Sequence, residues 1–310
     1  MPQSTACIVL CKIPLLLVLL IYTCLLVVFE GVAVALLPFS RPLSEKLLHI
    51  YSVYFVRLFL AVVRVGNKRL ILFYTPDGKL IDSTKKYRKT SKSYLIESNH
   101  ICALDTIITG YIGRDILGTN TKFMSKNQVK YFPVIGWALN LAGYLFIRRS
   151  WKEDVKKISE WCSKIKHREH QSFVIYSEGT RFSERRKLES VRYSMEYGKP
   201  VLKNLLYPRV KGFKLCAESL SSSVFATVLH VTIVYTRGGK RAHPPGFFSS
   251  LLVPVKGTFS VFIEFSPISD IKDPETYLIR KYVEKDKTIA RFISSRSNPE
   301  GICRRSSCGS

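Results

Sequence analysis

The stretch Tyr94-Leu95-Ile96-Glu97 runs without a break into Ser98-Asn99-His100-Ile101-Cys102-Ala103-Leu104-Asp105. A short apolar β-prone run followed by a polar turn and then a new apolar segment reads as strand, turn and helix. Similar runs recur at Leu70 to Tyr74, Lys122 to Met124, Leu145 to Ile147, Phe173 to Tyr176, Val201 to Tyr207, Thr227 to Tyr235 and Phe259 to Phe265. Between them lie amphipathic stretches. Val155, Ile158, Cys162 and Ile165 fall on one stripe of a helix over Glu153 to Lys166, and Pro274 to Phe292 reads as another. Such alternation predicts the α/β class, a mostly parallel sheet flanked by helices.

The segment before Val65 has a different character. From Ile13 to Phe29 no residue is charged, and Gly31 to Leu37 prolongs the apolar run past Glu30. At about 1.5 Å per residue, the uncharged run is at the short end of what crosses roughly 30 Å of hydrocarbon. A tilted span and a re-entrant hairpin both fit, and Gly31 to Ala35 also offers the small residues of a signal-peptide cleavage site. No Asn-x-Ser/Thr acceptor occurs, and the cysteines form no disulfide framework. Arg41, Lys46, Arg57, Arg64, Lys68 and Arg69 follow the segment, against Lys12 before it, so the positive-inside rule puts the body in the cytosol. Ile50 to Val65, with Tyr51, Tyr54, Phe55 and Phe59 beside Arg57 and Arg64, reads equally as an interfacial helix or as a core helix. The expected organisation is therefore a membrane anchor with an interfacial helix over residues 1–65 and a soluble α/β domain over residues 66–310.

Composition narrows the partners. The 310 residues hold 48 Lys and Arg against 23 Asp and Glu, a formal charge of +25, with 46% hydrophobic residues. The apolar fraction excludes a disordered polyelectrolyte, and eight cysteines without a CxxC pair exclude a zinc ribbon, so no metal is expected. Net charge calls for an anionic partner. The basic residues are spread over the body with no recognised nucleic-acid motif, so nucleic acid is not the expected one. No Gly-x-Ser-x-Gly elbow supports a hydrolase.

His100 and Asp105 stand just beyond a strand end, where α/β sheets carry their ligands. On one continuous helix their side chains would diverge by about 140°. They meet only if His100 lies in the turn and Asp105 in the helix that follows. The carboxylate would then fix the imidazole tautomer and leave the other nitrogen as a base, although a helix-capping network explains the pair equally well. Ser177-Glu178-Gly179-Thr180-Arg181 follows the strand Phe173 to Tyr176, with a Gly for close approach and an Arg whose fork of donors suits phosphate. Tyr207-Pro208-Arg209-Val210-Lys211 and the stretch Lys126 to Arg149, punctuated by Pro133, Gly136 and Gly143, add cations, which singly read as a solvated basic face.

In this order the clusters resemble the glycerolipid acyltransferases, the family that includes 1-acylglycerol-3-phosphate acyltransferases. That family's first block, Asn-His, four residues and Asp, matches Asn99, His100 and Asp105. Its second matches Gly143 through Phe146, Ile147 and Arg149; its third, Glu-Gly-Thr-Arg, matches Glu178 to Arg181 unchanged; its fourth, a Pro at an apolar strand end, matches Pro208. Tyr176 to Arg186 with Tyr207 to Phe213 looks most like the animal branch related to lysocardiolipin acyltransferases.

The resemblance implies an enzyme in which His100, oriented by Asp105, takes the proton from the hydroxyl of a lysophospholipid that attacks acyl-CoA. Lysophosphatidic acid is the first expected acceptor, with lysophosphatidylinositol or lysocardiolipin as alternatives. An inactive membrane scaffold is the rival from another class. Glu178, Gly179, Thr180 and Arg181, with Arg149, Lys126, Pro208 and Arg209, would bind substrate; acyl-CoA is a co-substrate, and no cofactor is expected. Cys102, inside the first block, reads as a small buried residue rather than a nucleophile. Members of that branch commonly end in further hydrophobic segments, whereas Gly301 to Ser310 has none. Anchoring, with the endoplasmic reticulum as the expected membrane, is therefore assigned to the first 65 residues.

Overall fold

The computed structural model describes residues 5–81, 92–132 and 135–297, so Pro133 and the tail from Gly301 lie outside the described residues. One mixed sheet organises them. Its strands are β1 (Ile71–Tyr74), β2 (Leu80–Ile81), β3 (Tyr94–Ser98), β4 (Asn120–Lys126), β5 (Leu145–Ile147), β6 (Gln171–Tyr176), β7 (Thr227–Arg237), β8 (Lys240–Arg241) and β9 (Thr258–Pro267). They lie in the order β2-β1-β9-β7-β3-β6-β4-β5, with β8 paired to β7. The run β7-β3-β6-β4-β5 is parallel, whereas β9 pairs antiparallel with β7.

Helices α3 (Leu104–Tyr111), α4 (Ile135–Leu141), α5 (Trp151–Ile165), α6 (Glu184–Glu196), α7 (Val210–Leu220), α8 (Phe247–Leu252) and α9 (Pro274–Ser297) follow strands or connect them. The two-residue period of β3 sorts its side chains. Tyr94 and Ile96 join Ile107, Ile108 and Val231 on one face, and Leu95 joins Ile158, Phe213 and Leu278 on the other. Burying each such side chain contributes roughly 1.5–3 kcal/mol, and both faces of β3 are filled, as a central parallel strand requires.

The apolar N-terminal region forms two helices, α1 (Thr5–Leu36) and α2 (Arg41–Arg64). Each is long and apolar enough to cross a membrane. α1 is assigned as one helix through Pro14. Tyr22 and Tyr51 stack at 4.4 Å, and each hydroxyl donates to the other's carbonyl, at 2.9 and 2.6 Å. α2 begins well before Ile50, because Ser40 caps it by accepting from the Leu43 amide. Its Phe59, Val62 and Val63 are buried against the sheet. Ile50 and Tyr54 of the same helix are exposed, so one side of it packs in the core and another is left apolar and open.

One expected strand is absent. Residues Val201 to Tyr207 form an irregular segment. Its backbone is satisfied by side chains instead of a neighbouring strand. The Asp286 carboxylate accepts from the Lys203 and Asn204 amides at 3.1 and 2.6 Å, and Ser190 Oγ accepts from Tyr207 at 2.7 Å. Leu202, Leu205 and Leu206 are buried all the same, which is why the stretch has the composition of a strand.

Behind β3 lies a buried charged group. Glu97 accepts from Lys285 Nζ at 2.5 Å and from His230 Nδ1 at 3.0 Å, and His230 Nε2 accepts from the Tyr277 hydroxyl at 2.9 Å. Burial alone would raise the Glu97 carboxyl, yet the Lys285 ammonium and the His230 ring hold it down at about 2. Removing one member leaves a charge without its partner. Lys285→Met is expected to destabilise the fold by roughly 3–5 kcal/mol, and a second change, Glu97→Gln, to recover part of that loss. Chemical denaturation in detergent measures both; an additive double mutant would refute the pairing.

Candidate active site

The turn after β3 is built by side chains reaching across it. Asn99 exchanges two hydrogen bonds with the Ile233 backbone on β7, donating to its carbonyl at 2.9 Å and accepting from its amide at 2.7 Å. Asp105 sits in the first turn of α3, fully buried, and one of its oxygens accepts from the Ile101 amide at 2.5 Å and the Cys102 amide at 2.9 Å. The same oxygen lies 2.9 Å from His100 Nδ1. With the proton on Nδ1, that nitrogen donates and Nε2 is left as the basic atom. The ring stacks on Tyr176 at 4.3 Å, and Tyr176 is tied by its hydroxyl to Thr109 at 2.9 Å. The His100 side chain is 16% exposed, enough to meet a substrate from one side. Cys102 is different. Burial and the neighbouring Asp105 push its thiol well above the ordinary range, so it carries no nucleophilic thiolate.

Parallel pairing brings the carboxyl ends of β3, β4, β5 and β6 to one edge, and the loops beyond them converge there. The Phe182 amide, next to Arg181, donates to the His100 carbonyl at 2.7 Å, which docks the loop after β6 directly onto the histidine. The Arg209 amide donates to Ser177 at 2.7 Å, so the Pro208 loop closes over the same place. Gly179 has φ of 66°, and a Cβ there would meet Arg209 Cδ at 2.9 Å. The left-handed φ calls for glycine, and the close approach of the flexible Arg209 side chain adds to it. Arg149 holds a left-handed φ of 68° and donates through its guanidinium to the Gly179 carbonyl. A non-glycine residue in that region costs roughly 1–2 kcal/mol, a strain retained at this rim.

Lys126, Arg149, Arg181 and Arg209 are exposed around this loop, and their charges interact. The Arg149 guanidinium, more than burial, lowers Lys126, with Arg181 and Arg186 adding to it; burial and then Arg209 and Arg186 lower Arg149. Thus the cations named from sequence form one cluster beside His100. Thr180 is half-buried in the loop and Pro208 is buried, placed before α7 rather than at a strand end. Arg186 was not identified from sequence. It lies in an Arg-Arg-Lys run of a helix, a context shared by any solvated helix face.

Glu178 is placed unexpectedly. It is 2% exposed, and among the described residues its carboxylate forms no ion pair and no hydrogen bond with a side chain. Burial raises its carboxyl well above the glutamate range, with the backbone amides of His100 and Leu206 and the Lys285 charge pulling the other way. It therefore forms no ion pair with Arg181 and acts from beneath the turn.

The family model described as Acyltransferase matches residues 79–268. Among curated proteins, the chain is 32% identical over 176 residues to human 1-acyl-sn-glycerol-3-phosphate acyltransferase gamma, covering 55% of this chain and 45% of that protein. It is 28% identical over 185 residues to the probable 1-acyl-sn-glycerol-3-phosphate acyltransferase 5 of Arabidopsis thaliana, covering 58% and 48%. With the delta enzyme of Bos taurus it shares 27% over 199 residues, covering 60% and 48%. The chain spans about half the length of these relatives.

The state of Glu178 has a consequence for stability. A carboxyl raised on folding binds its proton more tightly in the native state. Its contribution is complete below the ordinary glutamate value of about 4.3 and is lost as pH rises through the folded value. Between about pH 5 and about pH 8 the thermal midpoint of the parent chain should therefore fall more than that of Glu178→Gln. Parallel curves for the two would show that Glu178 is ionised when folded.

Proposed function

The chain belongs to the acyltransferase family, and from that premise we propose that it moves a fatty acyl group from acyl-CoA to the free hydroxyl of a lysophospholipid, with lysophosphatidic acid as the acceptor and phosphatidic acid as the product. The observation that carries this reading is the contact between the His100 turn and the Arg181 loop, which sets a positioned imidazole beside a cationic cluster.

His100 Nε2 takes the proton of the acceptor hydroxyl as its oxygen attacks the thioester carbonyl. Asp105 offsets the charge gained by the ring. When the tetrahedral intermediate collapses, the C–S bond breaks and the imidazolium returns the proton to the departing thiolate of coenzyme A, so protons balance and no covalent enzyme intermediate forms. A general base of this kind contributes about a hundredfold to ten-thousandfold in rate. Arg181 is the first ligand for the acceptor phosphate because its planar fork matches two phosphate oxygens. Arg149, Lys126 and Arg209 supply further charge, and Gly179 and Thr180 shape the loop.

The two apolar helices favour work at a membrane, and the basic residues after α1 favour a cytosolic face. The endoplasmic reticulum, where lysophospholipids and acyl-CoA meet, is the membrane we assign.

Purified chain given labelled acyl-CoA and a panel of lysolipids should transfer label to lysophosphatidic acid faster than to lysophosphatidylinositol or lysocardiolipin. His100→Ala should remain in the membrane and lose at least about a hundredfold in turnover. Arg181→Lys should chiefly raise KM for the acceptor, since a point charge loses the two-pronged geometry. Full turnover by His100→Ala would end the mechanism, and an unaltered acceptor KM in Arg181→Lys would remove that residue's role.

A further inference from the structure

Helix α6 is built inside out. Its inward side is Ser190, which accepts from Tyr207, and Ser194, which is 1% exposed. Its outward side carries Leu188 and Met195, each 69% exposed, with Val191 half-buried between them. At about 100° per residue, Leu188, Val191 and Met195 share one stripe. Arg185, Lys187 and Arg192 flank it together with Glu184, Glu189 and Glu196; Arg185 pairs with Glu189 and Lys187 with Glu184, which leaves Arg192 without an ion pair among the described residues. An ordinary surface helix of this chain does the reverse. In α5, Ile158, Cys162 and Ile165 are buried, and Lys156, Lys157 and Lys164 face outward.

An exposed apolar stripe bracketed by cations suits an anionic lipid surface, where side chains enter the headgroup layer and Lys and Arg meet phosphates. The stripe is also linked to the membrane-competent helices through contiguous structure. α1 packs on α4, with Val27, Gly31 and Val34 facing Trp137 and Leu141 across an open groove. The Gly136 amide of α4 donates to Phe132 at 2.8 Å, and Tyr131 and Phe132 are exposed beside the 3₁₀ turn that follows Lys126. Lys126 and Arg149 feel the charge of Arg186, which belongs to α6 and pairs with Glu189 at 2.8 Å. Apolar helix, aromatic rim and cationic cluster thus follow one another, and α6 adds Arg186 to that cluster.

We propose that α6 is a second membrane-docking element, whose Leu188–Val191–Met195 stripe rests in the headgroup layer of an anionic bilayer and holds the cationic cluster against the lipid plane. The acceptor is then taken from the bilayer without crossing water. This rests on the membrane reading of α1 and α2, but not on acyl transfer.

The test uses the full chain in vesicles of phosphatidylcholine with a minority of phosphatidic acid. A polarity-sensitive dye is attached through a bio-orthogonal side chain at position 188 or 195, with position 189 as the control. Emission at 188 and 195 should shift to the blue and be quenched by nitroxide-bearing lipids, and emission at 189 should report water. Water-like emission at all three positions overturns the proposal. So does a blue shift that lipid nitroxides do not quench, or one that disappears when the protein is diluted in excess lipid, because either assigns the stripe to a protein partner or a second copy. In the double variant Leu188→Asp, Met195→Asp, turnover of vesicle-embedded relative to monomeric short-chain acceptor should fall about tenfold, equivalent to about 1.4 kcal/mol of lost docking. If the dyes report lipid contact while no acceptor is acylated, acyl transfer fails and the docking surface stands.

Discussion

A single oxygen of Asp105 accepts from two backbone amides and faces the His100 ring. Without a carboxylate there, the amides of Ile101 and Cys102 would be buried donors with nothing to bond, at roughly 1–3 kcal/mol each. The same group sits in the first turn of α3, where the helix dipole favours a negative charge. Capping and tautomer control are therefore one arrangement. The turn that begins the helix also aims the histidine, and Asn99 fixes that turn to β7 from the other side.

Two glutamates near this turn show how burial assigns charge. Glu97 is ionised because Lys285 and His230 face it, and it ties β3, β7 and α9 together under the site. Glu178 lies just past β6 and meets no cation at hydrogen-bonding distance, and burial raises its carboxyl well above the ordinary glutamate range. Similar side chains are thus pushed in opposite directions by their surroundings alone. Burial works against a negative charge under the turn, so Glu178 does not offset the exposed guanidinium groups of the rim.

Much of this was legible in the sequence because it is local. β3 and its turn, the five-residue step from His100 to Asp105 and the Glu178 to Arg181 loop are contiguous, and the cations lie near strand ends that a parallel sheet gathers on one edge. Composition misled at Val201 to Tyr207, where buried leucines imitate a strand while Asp286 and Ser190 satisfy the backbone. The Glu97, His230 and Lys285 group left no sequence signal, since its members meet only through the packing of α9 on β7 and β3. The start of α2 at Arg41 lies ahead of the apolar stretch Ile50 to Val65, in polar turns that Ser40 caps.

The account stands on which nitrogen of His100 carries the proton. Nitrogen chemical shifts of the ring, recorded on selectively labelled chain in lipid vesicles near neutral pH, read this directly. The account predicts a protonated Nδ1 and a bare Nε2 in the parent chain, with that preference weakened in Asp105→Asn. A ring protonated at Nε2 in the parent, or one indifferent to the loss of the carboxylate, would contradict it.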